Sequence, residues 1–201
     1  MSRGRGLAIG CAAAVLALAC MTGPSQAAQT PPATLPLKLS AATTNLGKDS
    51  DVPIRIDLLR LTSDEDRRAL IDAAREKGVE SLQSQLAAKP SLGFLWTDSS
   101  VGYLIRYAAR SPLPGGGERI VIATDRVLGS YGLEPWQPAP PTPATSYPFT
   151  VIELHLDSKG TGDGTFSLAA RIEVDATTST LGLEQSKTVP RLLKNVKREG
   201  K

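Results

Sequence analysis

The sequence has few of the side chains that carry most enzymatic chemistry. It contains one histidine, His155, and two cysteines, Cys11 and Cys20, which both lie near the N-terminus. Removal of that segment would leave no thiol, which excludes thiol nucleophiles, thiolate metal sites and disulfide bonds. We therefore expect a hydrophobic core to stabilise the rest of the chain, and we predict no cofactor and no metal.

Residues 1–27 have the features of a secretory signal peptide. Arg3 and Arg5 form a short basic start, and residues 7–21 are an unbroken run of small and apolar side chains. Ser25 and Ala27 then place small residues at a cleavage site. The run is shorter than the ~20 apolar residues that a membrane-spanning helix needs. We therefore expect a secreted protein, exported to the periplasm or the extracellular space.

Cys20 offers a second outcome at the N-terminus. Residues 16–20 read LALAC, which resembles the lipobox of bacterial lipoproteins, although Ala17 and Leu18 depart from the preferred order. Lipidation of Cys20 would anchor the domain to a membrane, whereas cleavage after Ala27 would release it. Both outcomes stay open, and a membrane partner is expected only in the first.

The charge balance argues against nucleic acid as a partner. Removal of Arg3 and Arg5 from the 23 basic side chains leaves 21, against 20 acidic ones. Nucleic-acid-binding domains concentrate positive charge in a patch, and this chain clusters basic residues only in its C-terminal segment, 194–201. Such a cluster is typical of a solvated chain end, so we predict no nucleic-acid binding.

The chain divides into a leader and one domain. Residues 28–51 are rich in Pro, Ala, Thr and Ser and carry little charge, which predicts a flexible leader. Residues 52–199 are long enough for a single domain that buries about 70% of its unfolded surface. The sequence shows no fixed-period repeat that would indicate a solenoid or a propeller.

Periodicity predicts one helical hairpin and a mainly antiparallel sheet. Ser63 before three acidic residues caps a first helix, Gly78 ends it, and a second helix runs to Pro90. Residues 149–156 and 165–175 alternate like strands, and the glycine-rich turn between them predicts a hairpin with one solvent-exposed face. The predicted fold class is α+β, with about seven or eight strands in a curled or two-layer sheet.

One pair of motifs resembles a known group of proteins. Residues 147–154 read YPFTVIEL, and residues 157–164 read DSKGTGDG. The pair is similar to uncharacterised exported bacterial proteins of unknown function, in which a YPFTxIEL strand leads into a D-x-x-G-x-G-x-G turn. The resemblance implies export and a single domain. It implies no activity and transfers no catalytic or binding residue.

An aromatic and proline-rich segment is the main candidate for a binding surface. Trp136 lies among five prolines between residues 133 and 147, with Tyr131 and Tyr147 on either side in sequence. These aromatic residues can contact a peptide, a glycan or a partner protein. They can equally fold back and cover the edge of the sheet. Both alternatives stay open.

These patterns favour a non-enzymatic binding domain, whose partner is another envelope protein or an extracellular polymer. His155 and Glu153 share a strand face and could act as an acid–base pair, but an ordinary surface strand has the same pattern. A competing hypothesis is a carboxylate-dependent hydrolase, for example one acting on glycans, that uses Glu153, Asp157 or Glu173. A third hypothesis is a small-molecule carrier with a barrel-like cavity.

Overall fold

The structure is a computed structural model that describes residues 34–99, 101–132 and 135–200. The predicted signal peptide and the alternative lipidation of Cys20 lie outside the described residues. The elements in chain order are β1 (Leu37–Thr43), β2 (Pro53–Leu58), α1 (Asp64–Lys77), α2 (Leu82–Ala88), β3 (Gly93–Trp96), β4 (Tyr103–Pro112), β5 (Glu118–Thr124), β6 (Val151–Leu156), β7 (Thr161–Phe166), β8 (Ile172–Asp175), β9 (Thr180–Leu183) and β10 (Leu193–Arg198). None of the helices in the described residues has the length and apolar character needed to cross a membrane.

Eight of the strands close into an antiparallel barrel. Their order around the barrel is β1-β10-β7-β6-β5-β4-β3-β2, and β1 completes the ring by pairing with both β2 and β10. β8 and β9 form a separate two-stranded hairpin. The prediction of a mainly antiparallel α+β fold is confirmed. A closed barrel is more specific than the predicted curled or two-layer sheet, and closure leaves no unpaired sheet edge.

Alternation along the strands gives part of the barrel wall two buried faces. On β6, Ile152 and Leu154 point into the barrel and join its interior apolar cluster. Val151 points outward and joins a second cluster, which the helices and the β8–β9 hairpin cover. The prediction of a solvent-exposed outer face on this strand is therefore wrong, because Val151 and Glu153 are buried there and His155 is half-buried.

The helical hairpin follows the sequence prediction. The Oγ atom of Ser63 accepts the N–H of Asp66 at 3.1 Å, which caps α1. α1 ends at Gly78, whose φ of +82° favours glycine. The apolar side of the hairpin packs on the outer wall of the barrel through Leu70, Ile71, Ala74, Leu82 and Leu86.

The two ends of the barrel differ. At one end, which we call the closed end, Arg110, Glu118 and Arg198 stand at inward-facing positions of their strands. Arg110 Nε donates to Glu118 Oε2 at 2.8 Å, and Arg198 donates to the other carboxylate oxygen of Glu118. The ion pairs among Arg110, Glu118 and Arg198 fill the interior of the barrel at the closed end. The other end, which we call the barrel mouth, carries the connections β1–β2, β3–β4 and β5–β6.

One correction concerns the predicted leader. Strand β1 lies inside residues 28–51, and Leu37 and Leu39 of this strand belong to the interior cluster. The folded domain therefore begins ahead of residue 52. The alternation of apolar and polar residues in LKLSAAT is the signal of a strand, but it is short and follows a proline-rich stretch.

A second correction concerns the predicted strand at 165–175. Its first residues belong to β7 in the barrel, which ends at Phe166, and its last residues form β8 of the separate hairpin. β7 begins at Thr161, within the segment predicted as a turn. Gly162 makes this pairing possible, because a Cβ atom there would overlap the carbonyl oxygen of His155 on β6.

Candidate binding pocket at the barrel mouth

Three loops meet at the barrel mouth around a pocket of about 400 Å³, which we call the mouth pocket. The β1–β2 loop contributes Lys48 and Asp49, the β3–β4 loop contributes residues 97–99, and the β5–β6 loop contributes Tyr131 and Trp136. The loops converge because antiparallel strands place alternate connections at the same end of a barrel. Barrel mouths are a common place for ligand sites.

The floor of the mouth pocket is aromatic and belongs to the barrel core. The Oη atom of Tyr103 accepts the N–H of Gly129 at 2.9 Å, and the ring centroids of Tyr103 and Tyr131 are 4.7 Å apart. Trp136 packs against Phe166 with a centroid distance of 6.4 Å. Burial raises the pKa of Tyr103, so this hydroxyl stays protonated. The floor is therefore fixed before any ligand binds.

The rim of the mouth pocket offers both hydrogen-bond donors and acceptors. Thr97 Oγ1 accepts the N–H of Ser99 at 3.2 Å, and Ser99 Oγ accepts the N–H of Val101 at 3.2 Å. Because these oxygens already accept, their hydroxyl hydrogens can donate to a ligand. Within the part of the chain that the structure describes, the carboxylates of Asp49 and Asp98 have no hydrogen-bond or ion-pair partner.

The three aromatic residues predicted as a binding surface do not form one surface. Tyr131 and Trp136 line the mouth pocket, but Trp136 is only 6% exposed and belongs to the interior cluster. Tyr147 packs against the second cluster on the outer wall, where its Oη accepts the N–H of Ile172 at 3.2 Å. Trp136 and Tyr147 therefore fold back onto the barrel, but onto its interior and its outer wall and not over a sheet edge, and a binding role for Tyr131 stays a prediction.

A second concavity of about 270 Å³, which we call the outer-wall cleft, lies between the barrel wall and the β8–β9 hairpin. Glu153 lies at its centre and is 2% exposed. Its Oε1 accepts hydrogen bonds from His155 Nε2 at 2.7 Å and from Gln185 Nε2 at 2.8 Å. Its Oε2 accepts hydrogen bonds from Arg119 Nη2 at 2.8 Å and from the Leu183 N–H at 3.0 Å.

These contacts determine the charge of Glu153. Burial by itself would raise the pKa of Glu153, but hydrogen bonds from His155 and Arg119 and the charge of Arg119 lower it to about 2. A general acid must hold a proton near working pH, and a nucleophile needs a free lone pair. The contacts therefore argue against Glu153 in either role. They tie the β8–β9 hairpin to the barrel wall instead.

Two further carboxylates line the outer-wall cleft. Asp175 Oδ2 accepts from Arg119 Nη1 at 3.1 Å, while its Oδ1 accepts the N–H groups of Thr177 and Thr178. Burial opposes ionisation of Asp175, but these backbone hydrogen bonds outweigh it and lower its pKa. Glu173 stands at the edge of the cleft with a side chain that is 51% exposed. Two of the three carboxylates named in the hydrolase hypothesis, Glu153 and Glu173, therefore line one cleft, but in very different environments.

Asp157, the third carboxylate of the hydrolase hypothesis, stabilises its own turn. It accepts hydrogen bonds from the N–H of Lys159 and from both the N–H and the hydroxyl of Thr161, and the bonds from Thr161 lower its pKa. Asp157 does not line the outer-wall cleft. Among the described residues, no group of three or more His, Cys, Asp or Glu side chains could hold a metal ion.

Sequence reasoning missed the rim of the mouth pocket. Asp49 fell inside the predicted leader, and residues 97–99 follow a short strand that carried no motif. One available signal was the polar tetrapeptide TDSS at 97–100 between two apolar runs, because polar loops between strands are where binding residues concentrate. Its convergence with the other two loops depends on closure of the barrel, which no local pattern encodes.

Comparison of the chain with protein-family models, with curated proteins and with solved structures finds no match. The resemblance to exported bacterial proteins therefore stays a prediction. A closed barrel by itself does not imply a function either, because such barrels support unrelated activities.

Proposed function

We propose that this chain is an exported, non-enzymatic binding domain that holds its ligand, a component of the cell envelope or an extracellular polymer, in the mouth pocket. The observation that carries the proposal is the convergence of three loops around about 400 Å³ of space. Free carboxylates and hydroxyl donors surround this space above a fixed aromatic floor. Such a preformed pocket lowers the ordering cost of binding.

The position of the mouth relative to the chain ends supports this role. β1 begins at the closed end, where Leu39 pairs with Arg198 and the Glu199 N–H donates to the carbonyl of Lys38. Any tether that precedes β1, including a lipid on Cys20, would therefore join the domain at the closed end. The mouth pocket lies at the opposite end of the barrel from this attachment point.

The two competing hypotheses have less support. A carboxylate-dependent hydrolase at the outer-wall cleft would need a protonated acid, but Glu153 is fully hydrogen-bonded and its pKa is about 2. A carrier would hold its ligand inside the barrel. Here apolar side chains fill that interior, as is typical of eight-stranded barrels whose side chains occupy the lumen.

The proposal can be tested by NMR. We expect that a bacterial cell-envelope extract, separated into a small-molecule fraction and a polymer fraction, shifts or broadens the backbone signals of Gly129, Tyr131 and Gly132 in the 15N-labelled domain. Thr97→Trp should abolish the response, because the larger side chain fills the mouth pocket. Thr177→Trp, on the exposed β8–β9 turn, is the matched control and should respond like the native chain.

Three outcomes would contradict the proposal. The first is a lack of response at the mouth with either fraction. The second is a response centred on the outer-wall cleft, around Leu183 and Gln185. The third is a mouth response that Thr97→Trp leaves unchanged.

A further inference from the structure

We infer that the mouth pocket binds a neutral carbohydrate through a mono- or disaccharide unit. This inference rests on the proposed function and names its ligand class. It follows from three properties of the mouth pocket: the mixture of donors and acceptors on its rim, the balance of its charges, and the aromatic carbon of its floor.

The rim requires a ligand that both donates and accepts hydrogen bonds. The carboxylates of Asp49 and Asp98 can only accept, whereas the hydroxyls of Thr97 and Ser99 have hydrogens left to donate. An amine offers only donors, and a phosphate or carboxylate offers only acceptors. A sugar hydroxyl does both, so neighbouring hydroxyls on one ring can satisfy both kinds of rim group.

The charges of the rim disfavour an anionic ligand. Lys48 is the one cationic residue among the residues that line the mouth pocket in the described chain, and Asp49 and Asp98 outnumber it. A phosphate or carboxylate would have to approach two carboxylates that have no ion-pair partner among the described residues. Like charges at close range cost binding energy. A neutral ligand pays no such cost.

The floor also suits a sugar ring. Tyr103, Tyr131 and the largely buried Trp136 line the pocket, and the rings of Tyr103 and Tyr131 pack against each other. A pyranose ring has a face of C–H groups that packs against aromatic carbon, while its hydroxyls point outward towards polar groups. The volume of about 400 Å³ lies at the lower end of the usual range for small-molecule pockets, which fits a short sugar unit better than a large cofactor.

The most serious competitor is a cation such as a primary amine, because two carboxylates face the pocket. Two substitutions separate the alternatives. In Asp49→Asn/Asp98→Asn, the amide oxygens still accept hydrogen bonds but the negative charge is gone. In Asp49→Ala/Asp98→Ala, acceptor and charge are both gone. A neutral sugar should distinguish these variants, whereas a cation should lose binding to both.

The experiment uses an array of neutral oligosaccharides, followed by calorimetric titration with the best binder, and spermidine as the amine probe. We expect sugar binding to fall at least tenfold in the Asp49→Ala/Asp98→Ala variant and at most about threefold in the Asn variant, since one hydrogen bond contributes about 1 kcal/mol. Asp72→Ala/Glu76→Ala, on the exposed side of α1, is the matched control and should bind like the native chain. Binding should change little between low and high salt.

The outcomes separate this inference from the proposed function. Binding of spermidine but not of sugars, with equal loss in the Asn and Ala variants, would overturn the carbohydrate assignment and leave the mouth pocket as a binding site. Binding of no array sugar would also overturn it. If the envelope extract produces no response at the mouth in the NMR experiment, the proposed function itself fails.

Discussion

The mouth pocket and the outer-wall cleft lie on the same barrel and both contain carboxylates, but they differ in how those carboxylates are paired. In the outer-wall cleft, Glu153 accepts four hydrogen bonds and Asp175 accepts three. In the mouth pocket, Asp49 and Asp98 have no partner within the described residues. The carboxylates of the cleft are therefore satisfied within the fold, whereas the carboxylates of Asp49 and Asp98 accept no hydrogen bond from the described residues.

This difference changes how a perturbed pKa should be read. A buried carboxylate with a strongly shifted pKa, in a cleft beside a histidine, is a common indication of a catalytic site. Here the hydrogen bonds that lower the pKa of Glu153 come from His155 and Arg119 on the barrel wall and from the Leu183 N–H on the β8–β9 hairpin. The lowering comes mainly from His155 and Arg119, and the Leu183 N–H adds to it, so the shift reports structural partners of Glu153. The proposed function therefore assigns the ligand to the mouth pocket and not to the outer-wall cleft.

The largest expected effect comes from removal of the charge at the centre of the outer-wall cleft. Glu153→Gln should lower the free energy of unfolding by about 3–5 kcal/mol, because it leaves Arg119 half-buried without its main partner. Urea denaturation measures this change. Glu173→Gln is the matched control at the exposed edge of the same cleft and should change stability by less than about 0.5 kcal/mol.

Two results would contradict a structural role for Glu153. One is equal stability of the Glu153→Gln variant and the native chain. The other is loss of ligand binding at the mouth in a Glu153→Gln variant that remains folded, because the network and the mouth pocket should act independently.

Acid should weaken the same network. The pKa of Glu153 is about 2 in the folded chain against an ordinary value of 4.5, so its stabilisation is fully present above about pH 4.5 and is lost as pH falls through about 2. The shift corresponds to about 3 kcal/mol. Urea denaturation at several pH values should show a steeper loss below pH 4.5 for the native chain than for Glu153→Gln. Parallel curves would remove Glu153 as the cause.

The next largest loss of stability is expected at Gly182, which lies against Arg119 in the outer-wall cleft. A Cβ atom at Gly182 on β9 would overlap Nη2 of Arg119, the atom that binds Glu153. Gly182→Ala should therefore cost about 1–3 kcal/mol of unfolding free energy through overpacking. Gly200→Ala is the control, since a Cβ atom there meets nothing within 4 Å. If both variants are equally stable, the hairpin is held less tightly than the contacts indicate.

Local patterns predicted the elements better than their arrangement. The cap at Ser63, the stop at Gly78 and the inward set on β6 follow from spacing alone, and all three are present. Closure of the barrel is a long-range property. It depends on β1 pairing with β10, near the opposite end of the chain, and the short apolar alternation of β1 was hidden in a proline-rich segment.

The environment of each candidate site residue was harder to predict than the element that carries it. Trp136 is buried where Phe166 of β7 packs against it. Glu153 is buried because the β8–β9 hairpin covers the outer face of β6. In both cases the residues that bury the side chain come from a different part of the sequence. Alternation assigned Glu153 and His155 to the outer face correctly, but it could not reveal that this face has a second layer.

Removal of a single carboxylate from the mouth pocket should have almost no effect on stability. Asp98→Ala should change the free energy of unfolding by less than about 0.5 kcal/mol, because the carboxylate is exposed and has no partner within the described residues. Asp175→Ala, which removes a carboxylate of similar chemistry from the outer-wall cleft, should cost clearly more, since Arg119 and the turn at Thr177 lose an acceptor. Urea denaturation of the two variants tests this order. If Asp98→Ala lowers the free energy of unfolding as much as Asp175→Ala does, then Asp98 stabilises the fold. The carboxylate would then no longer be a reason to place a ligand in the mouth pocket.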